Sequence, residues 1–254
     1  LKLNQINGSA FSAASMTNNI IGGWAIADGS TFATYTDAYG VSQMGVTYNS
    51  FAAPAFTGGD INATVANGNY NDGALTRTVS GAKQAYTWRF SATASQTFTF
   101  SAAPVTLGVG LVTNNGNTIT LQGDSSASSL TSAGTDLYVY TNQGTMAINM
   151  MLTGAGMNFI KTGGGTLNLG NPTTPVSNNF GGTTFVNQGT LTLNAQAGYV
   201  LIPGDLVLSG YASATNSTVT MNTNEGQISP NARITLVGGG TLNLVGTNTL
   251  RSLS

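Results

Sequence analysis

Eight carboxylates are the groups in this 254-residue chain that could do acid–base work: Asp28, Asp37, Asp60, Asp72, Asp124, Asp136, Asp205 and Glu225. Glycoside hydrolysis needs two of them facing one another across a cleft. Most stand alone beside glycine or another turn former, and Asp28-Gly29, Asp72-Gly73 and Gly204-Asp205 read as bends. A polysaccharide lyase needs clustered acids for calcium and a basic residue beside them. Arg77, Lys83, Arg89, Lys161, Arg233 and Arg251 are scattered, and the Gly-Gly-x-Gly-x-Asp calcium repeat is absent. Cysteine and histidine are both missing, which removes disulfides, thiolate nucleophiles, imidazole bases and the usual zinc sites. Gly163-Gly164-Gly165 lacks the Gly-Lys-Ser/Thr ending of a phosphate-binding loop and reads as a bend. The expectation is a chain that is not an enzyme, with no catalytic residue, cofactor or metal.

Binding chemistry is easier to place. Trp24, Tyr35 and Tyr39 lie close together in the sequence and are the candidates for contact with surface glycans. The asparagine pairs Asn18-Asn19, Asn114-Asn115 and Asn178-Asn179 read as bend residues, able to adopt left-handed backbone and to stack amide on amide. Only 6% of residues are charged and the net charge is -1, so nothing steers the chain toward nucleic acid or an anionic membrane. No apolar run is long enough for a membrane-spanning helix. There is neither an initiator Met nor a basic segment leading into an apolar one, so a mature portion or a piece of something longer is expected. Abundant Asn, Thr, Ser and Gly with few Lys and Glu suit an extracellular or cell-surface location.

The elements that carry these residues are short strands. Thr97-Phe-Thr-Phe100, Thr118-Ile-Thr-Leu121, Leu137-Tyr-Val-Tyr140, Thr166-Leu-Asn-Leu169, Thr190-Leu-Thr-Leu193 and Thr241-Leu-Asn-Leu244 alternate apolar and polar residues, the period of a strand with one face buried. Gly-Gly, Asn-Gly and Asn-Asn punctuate them. One phrase occurs twice, as Lys161-Thr-Gly-Gly-Gly-Thr-Leu-Asn-Leu-Gly170 and Val237-Gly-Gly-Gly-Thr-Leu-Asn-Leu-Val-Gly246. Apolar positions recur from Phe98 to Ile119, Met146 to Leu167, Leu167 to Leu191 and, two steps on, Leu242, and are expected to correspond in the core. A coil of roughly 20 to 27 residues, with three strands and three bends, follows from that spacing. The fold expected is all-β, a parallel β-helix; an antiparallel sandwich also uses short strands, but has no reason to reuse the repeated phrase. Leu167, Leu169, Leu191, Leu193, Leu242 and Leu244 should then share one core. Residues 1–90, rich in aromatics, should be β-helix with long loops, and residues 91–254 regular coils.

The stretch Phe159-Ile-Lys-Thr-Gly-Gly-Gly-Thr-Leu-Asn-Leu, followed by Phe180-Gly-Gly-Thr-Thr-Phe-Val-Asn-Gln-Gly-Thr-Leu-Thr-Leu193, resembles the autotransporter-associated β-strand repeat, also called the passenger-associated transport repeat. Asn19-Ile-Ile-Gly-Gly-Trp-Ala-Ile-Ala-Asp-Gly-Ser-Thr-Phe-Ala-Thr-Tyr35 looks like a segment of the very large planctomycete and verrucomicrobial proteins that carry this repeat. The resemblance implies a right-handed β-helical surface protein, often built of tandem units, and supplies no catalytic residues. Pro172 and Pro175 depart from the family's usual turn. The expected role is a structural rod or fibre module that joins end to end with itself or with neighbouring units, its last coil meeting a first strand at Leu1-Lys-Leu-Asn4. A glycan-binding adhesin and a polysaccharide-degrading enzyme are the alternatives.

Overall fold

The computed structural model describes residues 3, 5–6, 9–48, 51–63, 67–210 and 216–254; the strand expected at residues 1–4 falls outside these except for Leu3. In Thr118–Gly123, Thr145–Asn149, Thr166–Leu169, Thr190–Leu193 and Thr218–Met221 every second residue is buried, as period-two alternation requires. With Thr76–Ser80, Gln96–Ser101 and Thr241–Asn243 these strands form an eight-stranded parallel sheet, one strand to each coil. The chain returns through a twelve-stranded sheet that bends along its length. Val105–Thr113, for example, pairs with Ser129–Ser132 through its first half and with Asp136–Thr141 through its second. The product is a parallel β-solenoid of about eight turns. Among the described residues the expected stack of parallel coils is present, and the antiparallel sandwich is not.

Coil length follows from the register. Thr118, Thr145, Thr166, Thr190, Thr218 and Thr241 are successive partners, 27, 21, 24, 28 and 23 residues apart. One expected alignment is off by two: Phe98 lies beside Leu121, and Ile119 beside Gln96. A slip of two keeps every side chain on its face, so hydrophobic pattern alone could not detect it.

Two inward rows form most of this wall of the core. One is Ile119, Met146, Leu167, Leu191 and Val219; the other is Phe98, Leu121, Ile148, Leu169, Leu193 and Met221. All are buried, each contributing about 1.5–3 kcal/mol of transfer free energy. Leu242 continues the first row and is partly buried against the core. Leu244 corrects the expectation that all six leucines are enclosed. It is 39% exposed, because the strand ends at Asn243 and no further strand packs over it.

The N-terminal third departs from the expected β-helix with long loops. Its first strands are antiparallel: Gln5–Ile6 with Ser9–Ala10, Ile26–Ala27 with Thr31–Thr36 and Gly40–Gln43, and Thr47–Tyr48 with Phe51–Ala52. Coils begin with Asn69–Asp72 and Thr76–Ser80, which pair in parallel with Lys83–Phe90 and Gln96–Ser101. Residues 69–90 thus already belong to the solenoid. Aromatics of this segment are core residues of the first coils: Trp88 lies 4.7 Å from Phe90 and 5.1 Å from Phe98 between ring centroids.

The antiparallel layer packs on the outside of the twelve-stranded sheet. Ile20, Phe32 and Met44 cluster with Val112, flanked by Tyr86, Val109 and Tyr140. Arg89 donates from Nε to Ser30 O at 2.8 Å and from a terminal nitrogen to Asn71 Oδ1 at 2.9 Å. The Gly22-Gly23 pair makes this close packing possible. A Cβ on Gly22 would meet the Trp24 indole at 2.5 Å, and one on Gly23 would meet the Tyr138 ring at 2.4 Å.

The core assignment has a direct check. Leu191→Asp places an unpaired charge in the closed interior and should cost several kcal/mol. Leu244→Asp, on an exposed side chain, should change stability by no more than about 0.5 kcal/mol. Denaturant unfolding of the two variants beside the parent measures the contrast; equal losses would contradict the register.

Candidate functional site

The carboxylates are spent on structure. Asp124 is exposed, and the Ala102 N–H, with hydroxyls of Ser101, Ser128 and Ser125, holds it down at about 2. Asp136 accepts from Asn158 and from the Tyr138 hydroxyl. Asp205 and Glu225 accept backbone N–H groups of Arg233 and Thr247 on the next coil. Asp28, with φ +53°, sits with Gly29 in the bend between Ile26–Ala27 and Thr31–Thr36.

Asp60 and Asp72 are brought together, but with an arginine between them. Arg77 bonds Asp60 Oδ2 at 2.6 Å through one terminal nitrogen, and holds Asp72 by Nε at 2.9 Å and the other terminal nitrogen at 3.0 Å. Asp72 is fully buried. Arg77 thus engages both carboxylates in ion pairs, Asp72 through a two-point fork and Asp60 through a single contact. Among the described residues no group of three or more His, Cys, Asp and Glu could hold a metal ion.

Lys161 is the basic group whose environment differs most from what its sequence context suggested. It occupies an inward position in register with Val139 and Val186 and is fully buried. Its stem fills core space while Nζ reaches the bend that follows. There it donates to Thr162 O at 3.1 Å, Gly163 O at 2.5 Å and Gln188 O at 2.9 Å. It thus fastens one bend to the bend of the next coil. The alternation of Phe159, Ile160 and Lys161 contained the signal, since Phe159 and Lys161 must face the same way. Burial pushes the ammonium down to about 7, while its carbonyl acceptors favour the charged form.

Of the three aromatic candidates, Trp24 and Tyr39 are exposed, at 59% and 61%. Trp24 lies on a shallow apolar groove of about 260 Å³ with Leu3, Ile21, Ala25, Ile26, Ala33 and Val41. Tyr35 is not available with them: it is 4% exposed, donates its hydroxyl to Leu3 O at 3.3 Å and packs edge-on against Phe11. Alternation along Thr31–Thr36 would leave Tyr35 half free, but that strand lies between two others and is covered on both faces, five of its six residues being buried. The asparagines do bridge coils, more often to backbone than to one another. Asn115 donates to Ala92 O and Ala94 O, and Asn178 to Leu201 O, whereas Asn142 donates to the Asn114 amide oxygen.

No family model, curated protein or solved structure matches this chain. The repeat resemblance accordingly rests on the sequence alone, from Phe159 to Leu193 and from Asn19 to Tyr35.

Lys161 yields a pH dependence of determined sign. With a folded-state value below the ordinary lysine value of 10.5, the unfolded chain binds more protons between about pH 7 and 10, so stability rises with pH across that window. The burial penalty is felt in full below it. Between pH 7 and 9 the gain should be on the order of 2 kcal/mol, read as an increase in Tm relative to Lys161→Met at each pH. Tyr86, Tyr138 and Tyr140, pushed up by burial, stay neutral in this range. A Tm difference that does not change with pH would show that the carbonyls keep Lys161 charged.

Proposed function

We propose that this chain is a structural rod module of an exported surface protein, extended end to end by further coils of the same kind. The observation that carries the reading is the uninterrupted parallel stacking of coils, in which one strand of each coil adds to a single eight-stranded sheet. Thr241–Asn243 and Ser252–Leu253 are the outermost strands of their sheets, and Leu244, Val245 and Leu253 are exposed beside them. An unpaired strand edge backed by apolar side chains is a template for another strand. A coil added there continues both sheets without any new tertiary design. A glycan-binding role for the antiparallel layer is the second reading, supported by the exposed Trp24 indole on its apolar groove.

Extension should make the purified chain associate with increasing concentration into elongated particles, seen by sedimentation velocity and electron microscopy. Leu244→Lys with Leu253→Lys, both on exposed positions, should abolish this while leaving the melting profile unchanged. A parent that stays monomeric at every concentration would defeat the rod reading. Export is tested separately by protease treatment of intact cells that make the protein, and the adhesin reading by loss of glycan-array binding in Trp24→Ala.

A further inference from the structure

The outer face of the eight-stranded sheet carries far more order than solubility requires. Thr118, Thr145, Thr166, Thr190, Thr218 and Thr241 form one unbroken rank across six coils. Two residues along each strand runs a parallel rank: Thr76, Thr97, Thr120, Ala147, Asn168, Thr192, Thr220 and Asn243. Thr78 and Thr99 begin a third. An outward position asks only for a polar side chain, yet neither of the two long ranks contains a charged residue.

Threonine differs from serine in being stiff at χ1, so the same residue at the same backbone position repeats its hydroxyl and methyl in a fixed place on every coil. Within the described residues only one hydroxyl of the two long ranks has a hydrogen-bond partner, Thr220 Oγ1, which accepts from Asn243 Nδ2 at 3.2 Å. The remainder are left to solvent. Where the third rank begins, the surface forms a trough of about 310 Å³ lined by Thr76, Arg77, Thr78, Thr97 and Thr99, room for ordered water between hydroxyl rows.

Strand spacing sets the grid at about 4.8 Å along a rank and about 6.6 Å between ranks. The first falls close to the a-axis repeat of oxygen in hexagonal ice, and the second is about a tenth short of its c-axis repeat. Other occupants fit less well. The neutral ranks offer nothing to a polyanion. Seven strand spacings by two side-chain repeats make a face of roughly 450 Å², well below the ~800 Å² per partner of a stable protein interface. The exposed aromatics that would stack on a sugar lie instead in the antiparallel layer, at Trp24 and Tyr39.

We propose that the threonine ranks are an ice-binding face, their preorganised hydroxyls and methyls holding a layer of water in register with the crystal. Preorganisation is what makes the array effective, since no side chain has to be ordered when the lattice is met. This is independent of whether the rod is extended end to end.

The test is partition of the purified chain into slowly growing ice, together with thermal hysteresis and crystal shape. Thr190→Tyr and Thr166→Lys each break the first rank from outside the core and should retain the parent's circular dichroism and Tm. Each should lower the ice-bound fraction at least several-fold, whereas Thr235→Lys, on the outer side of the twelve-stranded sheet, should leave it unchanged. A parent that enters ice no better than an unrelated globular protein overturns the proposal. So do folded rank variants that partition like the parent, or a loss in Thr235→Lys as large as in Thr190→Tyr.

Discussion

Backbone lying directly on backbone at the bends between the two sheets is the constraint on which this fold depends. At Gly163, with φ +81°, an added Cβ would sit 2.3 Å from Thr141 O of the preceding coil, and at Gly189, with φ +71°, 2.4 Å from Gly163 O. No side chain has room there, and left-handed backbone disfavours one in any case. The reward is an unbroken hydrogen-bond ladder. Gly165 N donates to Thr141 O, Thr166 N to Gly144 O and Thr218 N to Gly189 O, so each strand of the eight-stranded sheet starts at the same height and its leucines meet in rows. Lys161 adds a side-chain fastening to this stack, tying carbonyls of successive bends through one ammonium.

Once the bends fix the register, the two sheets have different outer surfaces. The twelve-stranded sheet presents Tyr138, Tyr140 and Val112 outward, and the antiparallel N-terminal layer covers them. The eight-stranded sheet presents threonine and asparagine and receives no such layer from the described residues. One side of the rod is thus committed to internal packing and the other is left as a patterned surface.

The coils were legible in the sequence because their signals are local. A period of two, a glycine bend and a repeated Thr-Leu-x-Leu specify strand, turn and inward face within about ten residues. What was not legible depends on contacts distant in the chain. Tyr35 is buried because Leu3 and Phe11 pack on it, and Leu244 is exposed because no strand follows over it. The antiparallel strands before residue 57 alternate much as the coil strands do, so pattern could not tell their direction of pairing. Pairing Phe98 with Ile119 or with Leu121 satisfies the same inward face, so the pattern does not choose between them, and the fold pairs it with Leu121. Asp60 and Asp72 looked like solitary turn residues until the fold placed Arg77 between them.

Stacking also explains the scarcity of charge. A residue repeated at one coil position lies about 4.8 Å from its copies on either side, and like charges at such a distance repel by roughly 1 kcal/mol per pair even in water. A charged residue therefore cannot be repeated along a rank, whereas threonine or asparagine can. The charges that occur obey this rule. Lys161 lies between Val139 and Val186, Arg77 beside Phe98, and Asp136 beside Asn158, which donates to it. The low charge and the Asn and Thr wealth of the chain thus follow from coil stacking itself, whichever compartment the rod occupies, and it is the same neutrality that leaves the threonine ranks uninterrupted by counter-charges or by ordered ion pairs.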